Sequence, residues 1–293
     1  MKTKTKSKGW IPDLPDFRDY DPNSADVKPL LKKVGIQAEK KKKLPTKTDL
    51  RKCCSPIENQ GDIGSCTAHA AVGLIEYFMR KSFGEHIDGS RLFVYKTTRN
   101  MLGWTGDDGA YLRTAIGALV LFGVPPEDYW PYDEAQFNAE PTAFCYAFAD
   151  NYKAMSYYRL DGPGVTKDTL LTRIKTQLAA EIPSIFGFTT FTSMDSEENE
   201  KGHIPFPDRR EKTDGGHAVM AVGYNDDIEI VNPLNKKIKT KGALLIRNSW
   251  GTEWGMKGYG WLPYDYVSKG LAIDWWCVLH ASWVDTGQFK YSN

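Results

Sequence analysis

A cysteine, a histidine and two side-chain amides stand in this 293-residue chain in settings that suit joint chemistry. Cys66 closes the run Gln60-Gly61-Asp62-Ile63-Gly64-Ser65-Cys66, His217 sits in Gly216-His217-Ala218-Val219, and Asn248 opens Asn248-Ser249-Trp250-Gly251. A thiol nucleophile, an imidazole, an amide to orient that imidazole and a second amide placed to hold an oxyanion make a nucleophilic hydrolase. These groups lie far apart in the chain, so only a fold can bring them together.

The elements that must hold them are readable from the apolar pattern. Cys66 follows a Gly/Ser turn and opens the run Ala68, Ala70, Ala71, Val72, Leu74, Ile75, Phe78 and Met79, which is too dense for a surface helix and predicts a largely buried one from Cys66 to about Arg80. A cysteine in the first helical turn meets free N–H groups and the positive end of the dipole, which favour the thiolate. Beside a protonated His217 its pKa would fall from about 8.5 into the range of about 3.5 to 7.5. His217 opens the apolar stretch Ala218 to Val222, read as a buried strand, and Asn248 ends a second strand, Ala243 to Arg247. A strand is a rigid mount for a base that must reach the sulfur and then the leaving amine.

The three boxes, in this order, resemble the papain family of cysteine proteases, in a prokaryotic type with a short N-terminal pro-segment. The resemblance implies that Cys66 is the nucleophile, His217 the base and Asn248 the group that orients the ring, with Trp250 shielding their hydrogen bond. It implies that Gln60 holds the oxyanion with the Cys66 N–H; such a donor is typically worth about 2.7 to 4 kcal/mol in the transition state. Read singly, each residue has an ordinary structural account. Jointly that account is poor, because it predicts neither Gln60 six residues before Cys66 nor the repeated Trp and Gly through Trp254, Gly255, Gly258 and Gly260. His69 shares a helix face with Cys66 and is a competing base, but it has no evident orienting partner and reads as a satisfied core residue.

The same resemblance implies an α+β, papain-like two-lobe fold, with a helical N-terminal lobe (about 44–150), a β-barrel-like C-terminal lobe (about 151–293) and the cleft between them. Helices are expected over Ser90 to Arg99, Tyr111 to Leu121 and Lys167 to Ala180, the last capped by Thr166. Strands are expected over Ala154 to Leu160, Ile182 to Phe191, His217 to Tyr224, Ala243 to Asn248, Gly258 to Pro263 and Trp275 to Leu279. Asn225 to Asp227 and Asn232 to Lys237 read as loops around an extra hairpin between His217 and Asn248, and Thr192 to Gly215 as a surface insertion. Carried over position by position, the second substrate pocket falls on Ala110, Tyr111, Gly215, Ala218 and Asp274. The carboxylate of Asp274 at its floor would favour a basic side chain at P2.

Residues 1–43 differ from the rest. Trp10, Ile11, Pro12, Leu14, Pro15, Phe17 and Tyr20 make a proline-punctuated apolar stretch that suits an extended segment lying in a groove. Lys32, Lys33 and Lys40 to Lys43 read as a solvated linker or exposed cleavage site, and Leu44-Pro45 resembles the family's mature start. Residues 1–43 are therefore read as a pro-segment, an intramolecular inhibitor of a zymogen; the alternative is an arm packed permanently on the domain.

Net charge of +1 argues against a nucleic-acid binder, and there is no apolar run of 18 residues to span a membrane. The basic N-terminus lacks the apolar region of a signal peptide, and nothing marks a compartment. Among five cysteines, the family's usual partner position three residues before the nucleophile is Ile63, and a bridge from Cys53 or Cys54 to Cys145 stays open. Histidine and cysteine spacings suggest no metal site, and no cofactor is implied. The expected partners are peptide or protein substrates. The expected activity is a cysteine endopeptidase working through an acyl-enzyme. The rivals are an exopeptidase or deamidase on the same scaffold, which would need a feature closing one end of the cleft, and a catalytically silent binding module.

Overall fold

The structure, a computed structural model, describes residues 8–36, 43–152, 156–195 and 202–279. Lys40 to Lys42, the start of the expected strand at Ala154 and His280 lie outside the described residues. In chain order the elements are α1 (Lys28–Lys33), β1 (Lys47–Asp49), α2 (Cys66–Phe83), α3 (Arg91–Leu102), α4 (Leu112–Leu121), α5 (Ala143–Ala149), β2 (Ser156–Arg159), α6 (Lys167–Ala179), β3 (Ser184–Phe191), β4 (Thr213–Val231), β5 (Lys239–Arg247), β6 (Tyr259–Pro263), α7 (Tyr264–Ser268) and β7 (Ala272–Leu279). Helices gather in the first half and strands in the second, the α+β arrangement expected.

Helix α2 is buried from Cys66 to Phe78 and ends where Gly84, at φ 83°, turns its N–H back to the Arg80 carbonyl. Its small residues let the neighbouring strands approach: a Cβ on Gly73 would strike the Arg247 guanidinium. That guanidinium donates to Ser55 Oγ at 2.9 Å, Ser55 donates to Glu76 Oε2 at 2.5 Å, and Arg91 pairs with Glu76 at 2.9 Å. Arg91 and Glu76 are both buried, so α2, α3 and β5 are tied by a buried charge network as well as by apolar packing. Ser90 caps α3 by accepting from the Phe93 N–H at 3.1 Å, and Thr166 caps α6 through the Thr169 N–H at 3.2 Å.

The sheet runs β2-β7-β3-β4-β5-β6, all neighbours antiparallel, with β1 added on β4. It is open: no pairing joins β2 to β6 among the described residues, which corrects the barrel-like expectation. The span Asn225 to Asp227 is a bulge inside the 19-residue β4 rather than a loop, and the turn of the extra hairpin lies between Val231 and Lys239. Lys32 and Lys33 form the last turn of α1 and not a linker; the helix is anchored by buried Leu31 between buried Val27 and Val34. All five cysteines are free, so the bridge left open to Cys145 is not made.

Candidate active site

Cys66 starts α2 and His217 lies five residues into β4, beside Phe188 of β3 in the register. The sulfur accepts the N–H of Ala218, the residue after His217, at 3.4 Å. The thiol of the helical half and the strand that carries His217 thus meet where α2 and β4 touch. His217 Nε2 donates to Asn248 Oδ1 at 2.7 Å, which leaves Nδ1 as the nitrogen without a hydrogen-bond partner among the described residues. The Trp250 ring stacks on the imidazole, centroids 4.3 Å apart and planes 22° from parallel. Asn248 Oδ1 also accepts the Ser249 N–H at 2.8 Å, so the orienting amide is itself oriented.

Gln60 is held by two strand-like contacts. Its backbone N–H donates to the Ser249 carbonyl at 2.8 Å, and the Gly251 N–H donates to the Glu58 carbonyl at 3.0 Å, which ties the loop before Cys66 to the loop after Asn248. The Ser249 hydroxyl donates to Gln60 Oε1 at 2.6 Å, so the amide cannot flip and Nε2 is the end left to donate. In the present state Nε2 donates to the Ile63 carbonyl at 3.0 Å. Tyr132, from the Tyr129-Trp130-Pro131-Tyr132 turn, donates to the Gln60 carbonyl at 2.9 Å and shares a 2.6 Å hydrogen bond with Ser65. Neither Ser249 nor Tyr132 was assigned from sequence; their partners are remote in the chain, and no local pattern marks either hydroxyl for such a bond. His69 is buried, bonds the Ser65 carbonyl through Nδ1 at 3.1 Å and meets Tyr132 edge-on, so it is spent as a structural residue.

The chain's own N-terminal segment covers this site. Trp10 N–H donates to the Gly216 carbonyl at 3.1 Å, the Ala110 N–H to the Gly9 carbonyl at 2.8 Å, and the Ile11 N–H to the Ala110 carbonyl at 3.1 Å. Gly9 passes so close to Gly64 and Gly109 that a Cβ on any of the three would collide with backbone or crowd it. Lys8 pairs with Asp214 on one side of the site, and on the other Arg113 of α4 grips Asp13 and Asp19 while Arg159 of β2 donates to the Asp13 carbonyl at 3.0 Å. Of the apolar residues expected to lie in the groove, Trp10 is buried, whereas Leu14 and Phe17 point outward at 81% and 92% exposure.

Covering changes the electrostatics. Burial pushes the Cys66 thiol up to about 11 against the pull of the Ala218 and Gly9 N–H groups, and burial holds His217 down at about 4 although Asn248 favours its charged form. In this state the couple is a neutral thiol and a neutral imidazole, not the ready ion pair that the sequence suggested, because the field of the helix end does not offset desolvation.

The residues assigned to the substrate pocket fall in different places. Ala110 bridges Trp10 through its backbone and Asp274 accepts the Trp10 indole N–H at 3.1 Å. Gly215 faces the Lys8 side chain, Tyr111 packs against Trp104, and Ala218 belongs to the sulfur's surroundings. Gly187 and Gly216, unassigned from sequence, lie against the Trp10 ring. An isolated glycine inside the apolar run Phe186-Gly187-Phe188 was the available signal, since such a gap marks close approach by another group. No group of three or more metal-ligating side chains occurs among the described residues.

Comparison with known proteins agrees with this geometry. The family model described as papain family cysteine protease matches residues 44–273. An uncharacterized peptidase C1-like protein of Acanthamoeba polyphaga mimivirus is 34% identical over 302 aligned positions, covering 95% of this chain and 89% of that protein. Chicken cathepsin K is 29% identical over 70% of this chain and 54% of its own length, so the chain spans about half of that relative. Among solved structures, xylellain, a cysteine protease from Xylella fastidiosa, superposes with a TM-score of 0.74 at 33% identity, covering 95% of this chain and 98% of that one. Procathepsin L2 from the larval midgut of Tenebrio molitor shares the fold, with a TM-score of 0.66 at 20% identity over 94% of this chain and 78% of its own.

Proposed function

This chain belongs to the papain family of cysteine proteases, and from that premise we propose that it is an endopeptidase made as a zymogen, with Cys66, His217, Asn248 and Gln60 as its machinery. Residues 44–293 form the peptidase domain on this reading, its helical and β-rich halves meeting near residue 150, and residues 1–43 form the pro-segment.

The chemistry follows from the positions. Once the N-terminal segment leaves, water reaches the couple, the desolvation that favours neutrality falls, and the proton moves from sulfur to His217 Nδ1. The thiolate attacks the scissile carbonyl carbon of a peptide or protein substrate. The oxyanion is taken by the Cys66 N–H and by Gln60 Nε2, whose other end Ser249 fixes. His217 passes its proton to the leaving amine while Asn248 keeps the ring aligned, and the thioester is then hydrolysed by water that His217 deprotonates.

One observation carries the reading: the 3.4 Å approach of the Ala218 N–H to Cys66 Sγ, with His217 held by Asn248 next to it. The inhibitory role of the arm is supported by its hydrogen bonds to Gly216 and Ala110 on the two walls of the cleft. Two structural neighbours are a procathepsin and a cysteine protease in its proform, which fits a family in which such segments occur. Endo- rather than exo-action is favoured because chain from Lys8 to Tyr20 runs through the cleft and out on both sides of Trp10. Labelling with a thiol-selective epoxide before and after acid incubation, with N-terminal sequencing, tests the proposal. Label lost with Cys66→Ala and a new N-terminus near Leu44 are expected. Absence of labelling in acid-treated protein leaves a silent binding module, and release of single residues or dipeptides only would mark an exopeptidase.

A further inference from the structure

The pocket that Trp10 fills is built for one kind of side chain. Gly187 of β3 and Gly216 of β4 present bare backbone to the two-ring system; a Cβ on Gly187 would collide with ring carbons Cε2, Cδ2 and Cζ2, and one on Gly216 would come within 2.8 Å of Cε3. Both glycines lie on one face of the paired strands and leave a flat, bare-backbone slot in which the ring rests. At its end lies Asp274, fully buried and held at φ 64°, a conformation that costs a non-glycine residue about 1 to 3 kcal/mol and is kept where the surroundings over-determine it.

What over-determines it is a closed polar cluster. The Asp274 N–H donates to Asp161 Oδ2 at 2.7 Å, Asp161 Oδ1 accepts from Arg159 Nε at 2.9 Å, and Arg159 Nη1 stands 3.3 Å from Asp274 Oδ1. Oδ1 also accepts the Trp276 indole N–H at 2.7 Å. Oδ2 is the oxygen aimed into the slot, where it takes the Trp10 Nε1–H at 3.1 Å. A cation at P2 would enter beside the Arg159 guanidinium, which stands 3.3 Å from Asp274 and pairs at 2.9 Å with Asp161. A neutral ring N–H adds a charge-assisted hydrogen bond without adding charge.

We infer that this is an indole pocket: the enzyme selects substrates carrying tryptophan at the second residue before the scissile bond, with Gly187 and Asp274 as its specificity-determining residues. This rests on the peptidase reading above, and Trp10 is the intramolecular occupant that substrate tryptophan replaces. Phenylalanine fits the slot but leaves Oδ2 without its donor, which is costly for a buried carboxylate oxygen. Leucine underfills the slot.

The test uses full-length Trp10→Ala protein, in which the slot is vacated, and peptides that differ only at P2: tryptophan, 1-methyltryptophan, phenylalanine, leucine and arginine. The 1-methyl compound keeps the indole and removes its donor. Tryptophan is expected to exceed 1-methyltryptophan and arginine by about tenfold or more in kcat/KM. Asp274→Asn should narrow the first ratio to about threefold, and Gly187→Ala should place leucine above tryptophan. Equal rates for tryptophan and its 1-methyl analogue, or a preference for arginine, overturn the inference. The same ranking is read by equilibrium binding to full-length Trp10→Ala/Cys66→Ala protein, which needs no turnover. Failure of all hydrolysis would thus defeat the peptidase reading while the binding ranking still decides the pocket, and the analogue comparison decides it with Asp274 intact should Asp274→Asn not fold.

Discussion

Replacing Trp10 by alanine should expose a thiol that the intact chain keeps silent, and the size of the effect can be worked through. With the thiol pushed to about 11, about one sulfur in 10^4 is ionised at pH 7 in the covered state. Trp10 is 5% exposed, and deleting a buried tryptophan side chain costs about 3 to 5 kcal/mol. Here the loss falls on docking of the arm rather than on the whole fold, so the uncovered fraction rises by about 10^2- to 10^3-fold. An uncovered thiol in the range of about 3.5 to 7.5 is about one quarter to fully thiolate at pH 7, although a thiolate of lower pKa is a weaker nucleophile by about half a log per unit. The two trends together predict alkylation of Cys66 by iodoacetamide about 10^2-fold faster in Trp10→Ala than in the parent chain at pH 7. The pH profile should change as well. The parent rate should keep climbing toward pH 11, whereas the variant should level off below pH 8. Stopped alkylation with mass spectrometry of the Cys66 peptide reads both. Identical rates and midpoints in the two proteins would refute the reasoning, because the arm would then have no hold on the charge state of the couple.

Gln60→Ala should lower kcat by about 10^2- to 10^3-fold with little change in KM in acid-processed enzyme. Ser249→Ala, which frees Gln60 Oε1 to rotate, should lower it by about tenfold, and Ser249→Thr should restore most of the loss; steady-state kinetics on one peptide compares the three. Burial holds His69 at about 3 and His217 at about 4, below the usual histidine value, so the unfolded chain binds more protons between about pH 6.5 and 4 and stability falls as pH drops through that window. Each ring accounts for about 3 kcal/mol at pH 4, and His69→Phe should remove its share, seen as a smaller drop in unfolding temperature between pH 7 and pH 4. Glu76→Ala removes the fully buried partner of Arg91 and the acceptor of the Ser55 hydroxyl and should cost about 3 to 5 kcal/mol, a fall of about 6 to 20 °C by calorimetry.

Local information in the chain was enough to single out Cys66, His217 and Asn248, because each sits in a short box of glycines and aromatics at fixed spacing. It was enough for α2, β3, β5, β6 and β7 within a few residues, since a helix or strand declares itself through the period of its apolar side chains, whereas β4 runs over Thr213–Val231, well beyond the expected His217 to Tyr224. Caps at Ser90 and Thr166 are equally local. The short helices α1, α5 and α7 did not announce themselves, being five to seven residues long and too brief to repeat a period. Asn225 to Asp227 looked like a loop because its polar residues suit turns; pairing of β4 with β5 on both sides makes it a bulge instead.

Contacts between segments remote in sequence decided everything else. Composition marks Trp10 as apolar, yet only the slot between Gly187 and Gly216 makes it the one ring of its stretch that is buried in the cleft while Phe17 faces solvent. An aspartate near the end of the chain reads as an anion. Arg159 at 3.3 Å and two indole N–H groups make Asp274 a buried acceptor, a property of four residues drawn from three separate stretches. The charge state of the couple is likewise tertiary: a cysteine at a helix start is a thiolate in water and a thiol under an arm, because desolvation depends on what lies over the sulfur and no spacing within the chain encodes that.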